Sequence, residues 1–233
     1  MKKLVILTGA GMSSESGIRT FRDSGGLWEE YDVNEVATPA AWKRDMKLVL
    51  RFYNERRKQL AGCKPNEGHT GLARLEKYFD VQIITQNIDD LHERAGSTKI
   101  LHLHGELTKA RSTVDPSLIS FIGFKDINEG DCCVKGSQLR PHIVWFGEAV
   151  PTMDEAVNLT CIADIFVVIG SSLNVYPAAG LINYAPRKAS LWLIDPKDVA
   201  VPVNRRVEVI KEKASKGVAI LTERLLSEYG ITR

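Results

Sequence analysis

Two histidines, His102 and His104, stand two residues apart. An imidazole of ordinary pKa, about 6.5, is largely neutral near pH 7 and can take up a proton and return it. On a strand the two rings would share one face, and spacing does not choose between them. A polar run, Thr85-Gln86-Asn87-Ile88-Asp89, follows an apolar stretch, where such side chains are costly unless they meet partners or a ligand. The same residues also suit a turn that caps a helix starting near Asp89-Asp90. Gly9-Ala10-Gly11-Met12-Ser13-Ser14-Glu15-Ser16-Gly17 comes directly after the first apolar run. Glycines where a strand turns into a helix let the backbone approach a pyrophosphate. The spacing departs from G-x-G-x-x-G, and a tight turn capped by Ser13 or Ser14 is the plain alternative. Gly170-Ser171-Ser172 and Asp195 end two further apolar runs, and open α/β sheets bind ligands at the carboxyl ends of their strands. Asp195 either accepts from ribose hydroxyls or starts the Asp195-Pro196 turn. Tyr53 and Arg56, three apart, can share a helix face, where a guanidinium and a phenol would together take a carboxylate. Arg56-Arg57-Lys58 reads equally as a solvated basic face.

The elements that must position these groups follow from the apolar pattern. Continuous runs at 4–7, 81–85, 165–170 and 191–194 suit strands buried on both faces. Longer mixed segments separate them, which is the pattern of an α/β fold: a Rossmann-like, doubly wound parallel sheet. Two stretches interrupt it, a helical insertion at 28–71 and a polar, irregular insertion at 110–140. Together they would form a smaller module on a dinucleotide-binding core of 1–27, 72–109 and 141–233. Residues 222–229 read as a closing amphipathic helix. The composition is that of an ordinary globular protein, 233 residues with 44% hydrophobic and 26% charged. With 31 Lys+Arg against 29 Asp+Glu, no cationic surplus asks for nucleic acid or anionic lipid. No apolar run is long enough for a signal-peptide core or a membrane span, so the expected location is the cytoplasm. Cys63, Cys132, Cys133 and Cys161 show no disulfide framework and are expected as free thiols.

Five motifs in order, G-A-G-M-S-S-E-S-G-I-R-T-F-R (9–22), T-Q-N-I-D (85–89), H-G-E (104–106), V-W-F-G-E (144–148) and G-S-S-L-N-V-Y-P-A (170–178), make the chain resemble the sirtuins. These are NAD-dependent protein lysine deacylases, and the closest likeness is to the bacterial group that resembles the desuccinylase type. The resemblance spans nearly the whole chain except 110–140. It implies that nicotinamide leaves as the acyl-lysine oxygen attacks the ribose. The acyl group then passes to a ribose hydroxyl with help from a histidine base, which matches His104. NAD is the implied co-substrate, and Asn87 joins His104 in the catalytic set. Gly9, Ala10, Gly11, Ser13, Phe21, Arg22, Gln86, Ile88, Asp89, Gly170, Ser171, Ser172, Asp195 and Ala214 are the implied cofactor contacts. Asp89 would receive the carboxamide, and Phe21 would shield the reacting ribose.

The resemblance also places the acylated peptide between two strand-like edges, with Val144, Phe146, Gly147 and Glu148 on one and Leu173 and Val175 on the other. Backbone pairing of that kind tolerates many sequences. Ala37, small, with Tyr53 and Arg56 would form an acyl pocket for succinyl and malonyl groups, with some deacetylation retained. The chain departs from the family where four cysteines usually hold structural zinc: only Cys132-Cys133 remains, and adjacent residues chelate one metal poorly. No zinc is expected; apolar packing by Val114, Leu118, Ile119, Phe121, Ile122 and Phe124 would anchor the insertion instead. The expected partners are acylated lysine peptides, with no nucleic acid or membrane, and the chain is expected as a monomer. The competing functions are mono-ADP-ribosyl transfer and a non-catalytic NAD or ADP-ribose binding module.

Overall fold

The computed structural model describes residues 1–20, 31–200 and 205–231. Phe21 and Arg22 lie outside the described residues. Six parallel strands, β1 (Lys3–Thr8), β2 (Asp80–Thr85), β3 (Ile100–His102), β7 (Ile165–Ile169), β8 (Ser190–Ile194) and β9 (Val207–Ile210), form one sheet in the order β3-β2-β1-β7-β8-β9. The chain leaves β1 for β2 on one side and returns to β7 on the other, so the strand order reverses beside β1. At such a switch point the loops diverge and open a crevice.

The register shows which loops line it. Thr8 pairs with Thr85 and with Ile169, Thr85 with His102, and Ile169 with Ile194. The strands therefore end level, and the residues that follow, Gly9, Gln86, Leu103, Gly170 and Asp195, emerge along one edge.

The central strands are buried on both faces. Leu4, Ile6, Ile83 and Val167 pack on one side with Leu72, Leu75, Val218 and Leu221. Those partners come from the helices Glu67–Leu75 and Ala214–Glu228. Val5, Leu7, Ile84, Phe166 and Val168 face the other side, against Ala156, Leu181 and Ile182. Alternation along each strand feeds two cores from one run, which is why the runs read as continuously apolar. The expected closing helix at 222–229 is longer than that, beginning at Ala214. Its first half carries Gly217 and Lys216, which hide the start.

A second sheet is antiparallel: β5 (Ile119–Phe121), β4 (Gly105–Ser112) and β6 (Leu139–Ile143), in that order. The expected breaks at 109/110 and 140/141 cut through β4 and β6. Numbered in chain order, the α-helices are α1 (Val33–Val36), α2 (Pro39–Arg44), α3 (Met46–Gly62), α4 (Glu67–Leu75), α5 (Leu91–Arg94), α6 (Met153–Cys161) and α7 (Ala214–Glu228). Asp45 caps α3, its carboxylate accepting from Leu48 N, and α3 buries Val49, Phe52, Tyr53 and Leu60 against Leu107, Ile143 and Trp145.

The apolar anchor expected for the second insertion does not form. Val114, Ile119, Phe121 and Phe124 are exposed, Phe121 at 75%, and only Ile122 of that group packs against a core cluster, that of Leu50, Ala110 and Ile127. The insertion is held by that small cluster, to which Leu139 adds, and by polar contacts. Asn54 donates to Ile127 O and accepts from Ile127 N, while Arg57, fully buried, donates to Asn54 Oδ1 and to Leu107 O. No helix among the described residues is long and apolar enough to cross a membrane.

Candidate active site

Gly9, Gly11 and Gly170 meet where β1 and β7 end. Gly9 N donates to Ile169 O and Gly11 N to Gly170 O, at 3.0 and 2.9 Å. A Cβ on Gly9 would stand 2.7 Å from Gly170 O, and one on Gly170, whose φ is +60°, would stand 2.4 Å from Met12 N. The sequence expectation was that these glycines open the backbone to a pyrophosphate. In the structure, Gly9 and Gly11 first allow two strand ends to touch, and their amides are used inside the protein. The following residues form two short 3-10 turns, Ala10–Met12 and Ser14–Ser16, rather than a continuous helix. Gly17, with φ +88°, ends the second.

The loop after β2 turns inward onto this turn. Asn87 Nδ2 donates to Gly9 O (3.0 Å) and Ser13 Oγ (3.2 Å), and Gln86 Nε2 donates to Ser171 Oγ (3.0 Å). Ile88 is half-buried, its carbonyl accepting from Leu107 N. Asp89 is 5% exposed and accepts from Ser13 Oγ at 2.9 Å and from Leu91 N at 3.1 Å. Burial pushes its carboxyl up to about 6 despite those two hydrogen bonds. The helix-capping reading is met by Oδ1, which accepts from Leu91 N, while Oδ2 accepts from Ser13 Oγ.

Behind it lies a buried polar chain that sequence reasoning missed. Asn66 N donates to His69 Nδ1, leaving the proton on Nε2, which faces Ser13 Oγ at 3.5 Å. His92 packs edge-on to His69 with Nε2 3.1 Å from Thr8 Oγ1, and Thr8 donates to Thr85 Oγ1. Burial lowers His69 to about 4 and His92 well below the usual range. The capping pattern Asn66-x-x-His69 at the start of α4 was the available signal.

His104 Nδ1 lies 3.0 Å from Gln86 O. A carbonyl only accepts, so Nδ1 carries the proton and Nε2 presents a lone pair. Burial lowers this imidazole, against the hydrogen bond to Gln86 O, which raises it. His102 is different: Nδ1 faces Asn87 O at 3.2 Å and Nε2 faces Glu93 Oε1 at 2.8 Å.

Across from His104 runs the segment after β6. Val144 N donates to His104 O and Phe146 N to Ala37 O, both at 3.0 Å, so His104 and the end of α1 meet one backbone strip. Phe146 and Gly147 sit in an exposed turn rather than on a strand. Glu148 closes that turn. It accepts from Trp145 N at 2.8 Å, pairs with both Arg140 and Arg111, and its carboxyl is held down by those arginines against burial. The Glu148 carboxylate thus serves the protein's own structure, leaving peptide recognition at this residue to its backbone. The opposite segment is not a strand either: Leu173 has φ +54°, a strained value for a non-glycine residue, and Val175 follows half-buried.

Tyr53 is 3% exposed, and its hydroxyl accepts from Trp145 Nε1 at 3.1 Å. Burial pushes the phenol up, so it keeps its proton. Arg56, one turn on, stacks over Phe52 with 5.2 Å from Cζ to the ring centroid. Its Nη2 stands 3.8 Å from Glu55, whereas Nε and Nη1 are buried with no hydrogen-bond partner.

Asp195 accepts from Lys197 N, as the turn reading required. Ala214 is buried in the core at the start of α7, and Ser172 is exposed beyond buried Ser171. At the usual zinc position, Ser112 and Ser137 hydroxyls bond one another, and Cys133 Sγ lies 3.1 Å from Ser137 Oγ. Four N or S donors are not assembled there, so the residues present do not fit a tetrahedral structural zinc. Among the described residues, the one triad with ligand atoms within 4.8 Å of one another is Glu93, His102 and Glu106, and both nitrogens of its histidine are already engaged.

A profile of the Sir2 family matches residues 9–177. The NAD-dependent protein deacylase of Bacteroides thetaiotaomicron is 57% identical over 231 residues, covering 97% of this chain and 99% of that protein. A Sir2 homologue solved as an NAD complex superposes with a TM-score of 0.88 at 37% identity, covering 97% of this chain and 90% of that one. A Sir2 homologue mutant in complex with ADP-ribose gives 0.90 at 35% identity over 100% and 95% of the two chains. The crevice at the β1–β7 switch point, the paired histidines and the inward loop after β2 are thus those of a chain that belongs to the Sir2 family.

Proposed function

We propose that this protein is an NAD-dependent protein lysine deacylase whose acyl pocket selects chains ending in a carboxylate, succinyl and malonyl, with deacetylation retained at a lower rate. The deacylase activity rests on the family and on the close relatives that bear that name. The acyl preference rests on one observation: the Nε and Nη1 donors of Arg56, which follows Tyr53 by one turn of α3, are buried and unpartnered. A buried donor without a partner costs about 1–3 kcal/mol, more when charged, and a carboxylate entering the pocket would relieve it in paired hydrogen bonds. Ala37, whose carbonyl holds Phe146 N, leaves room for the longer chain.

The crevice residues fit NAD, which supplies when bound the ribose carbon that is attacked and nicotinamide as the leaving group. The fit rests on Asp89, a buried carboxylate with acceptor capacity, and on the unmet lone pair of His104 Nε2. Asp89 accepts from a carboxamide and is ionised above about pH 6. Asn87 holds the β2 loop against Gly9 and Ser13, and Gln86 with Ser171 lines the ribose side. His104, fixed in its Nδ1–H tautomer by Gln86 O and neutral at pH 7, draws the proton from a ribose hydroxyl through Nε2. The backbone strip of Val144 to Gly147, exposed at Phe146 and Gly147, and the segment Leu173 to Val175 receive the peptide mainly through backbone groups, so sequence selectivity is low. The free thiols Cys63, Cys132, Cys133 and Cys161 support work in a reducing cytoplasm.

Incubation with NAD and matched acetyl- and succinyl-lysine peptides tests the reading. Deacylated peptide with acyl-ADP-ribose, and a higher kcat/KM for succinyl, is expected. ADP-ribosylated protein, or bound cofactor without turnover, contradicts it.

A further inference from the structure

The two histidines at the end of β3 clasp two successive carbonyls of the β2 loop: His104 Nδ1 takes Gln86 O and His102 Nδ1 takes Asn87 O. Their outer nitrogens differ. That of His104 is left for substrate, whereas that of His102 points at Glu93 Oε1 from a side chain only 9% exposed. A carbonyl and a carboxylate both accept, so both His102 nitrogens must carry protons to satisfy them. One strand end thus holds a neutral imidazole and an imidazolium side by side.

We propose that the His102–Glu93 pair is a positioning device for the deacylation reaction: the imidazolium fastens the Asn87 carbonyl and thereby fixes the loop that presents Ile88 and Asp89 to the nicotinamide end of NAD. The inference rests on the deacylase reading for its role, and on hydrogen-bond geometry for its existence. His102 is a positioning residue, since it touches the loop and not the substrate.

The surroundings agree. Facing His102 are Glu93 and His92 from α5, Glu106 with its partner Lys109 from β4, and Asp89 from the loop itself. Burial lowers the His102 imidazole, but the hydrogen bond and charge of Glu93, with Glu106 behind it, outweigh burial and raise it. Glu93 is held below the usual carboxyl range by the same contact, against its own burial. The His102 charge also draws Asp89 down against burial, which extends to lower pH the range in which the carboxamide acceptor is ionised. When pH rises through the raised His102 value, a neutral ring has one N–H for two acceptors. Either the loop carbonyl or Glu93 then loses its donor.

The test uses the full chain and two readouts. Imidazole nitrogen NMR of the unliganded protein should show both His102 nitrogens protonated at pH 7, and Glu93→Gln should lower the titration midpoint by about one unit or more. His102→Leu should raise KM for NAD and the nicotinamide inhibition constant about tenfold, as expected for loss of a charged hydrogen bond, while the Kd for ADP-ribose, which lacks nicotinamide, moves less than about twofold. A singly protonated His102 at pH 7, a midpoint indifferent to Glu93, or equal weakening of nicotinamide and ADP-ribose would overturn the proposal. If His102→Leu does not fold, the Glu93→Gln titration decides. If the wild-type protein consumes no NAD, the deacylase reading falls, and NMR still decides whether the pair exists.

Discussion

Replacing Arg56 by methionine keeps the aliphatic stem over Phe52 and removes the guanidinium. Two of its donors, Nε and Nη1, are buried and unpartnered, so the free enzyme already bears their desolvation. A succinyl carboxylate meeting both would gain two charge-assisted hydrogen bonds, each worth about 1.5–3 kcal/mol. Even the lower end, about 3 kcal/mol in total, corresponds to roughly a hundredfold in kcat/KM. Acetyl-lysine has no carboxylate to offer, so Arg56→Met should leave deacetylation within about threefold. The thermal midpoint should stay level or rise, because the variant deletes two unpartnered buried donors and only a loose contact with Glu55. The assay is steady-state kinetics with succinyl and acetyl versions of one peptide at saturating NAD, followed by mass spectrometry of the products. Equal loss of both activities, or succinyl kinetics unchanged, would refute the assignment of Arg56 to the acyl carboxylate.

His69, lowered to about 4 by burial, is neutral in the fold and protonates more readily when unfolded, at about 6.5. Its stability contribution is present above pH 6.5 and is lost as pH falls toward 4, roughly 2–3 kcal/mol by pH 4.5. Urea unfolding at pH 7.5 and 4.5 should show that drop, and His69→Asn should shrink it by a similar amount; an identical drop in both proteins would be the wrong result. Gly170→Ala places a Cβ 2.4 Å from Met12 N on a backbone with φ +60°, so the β1–β7 contact must open. A loss of about 3 kcal/mol or more, with weakened ADP-ribose binding by calorimetry, is expected, and a melting point near wild type would contradict it. Glu148→Ala strips the partner from Arg140, which is 8% exposed, and frees the 145–148 turn. Denaturant titration should show a cost of about 3–5 kcal/mol; a change below about 1 kcal/mol would mean the ion cluster is solvated.

The central strands were legible because burial on both faces leaves no alternation to confuse: β1, β2, β7 and β8 lie where the apolar runs stand. The edge strands β3 and β9 were not. Each is short, and neither carries a buried apolar run: β3 is half-buried throughout, and β9 buries only Ile210. The small module misled in a different way, since Val114, Phe121 and Phe124 look like core material, yet all three are exposed, while Asn54 and Arg57 from α3 bond the backbone of Ile127 and Leu107. No periodicity reports a buried arginine that serves backbone carbonyls. In the site, spacing placed His102 and His104 together without telling them apart. The difference lies in what each second nitrogen meets, and Glu93, nine residues away in sequence, gives no local sign of it.

The account turns on His104 as the proton acceptor in the crevice. His104→Ala, given NAD and a succinyl-lysine peptide, should lose at least about a hundredfold in kcat while ADP-ribose still binds within a fewfold of the wild-type Kd. Turnover within a fewfold of wild type in that variant would contradict the account.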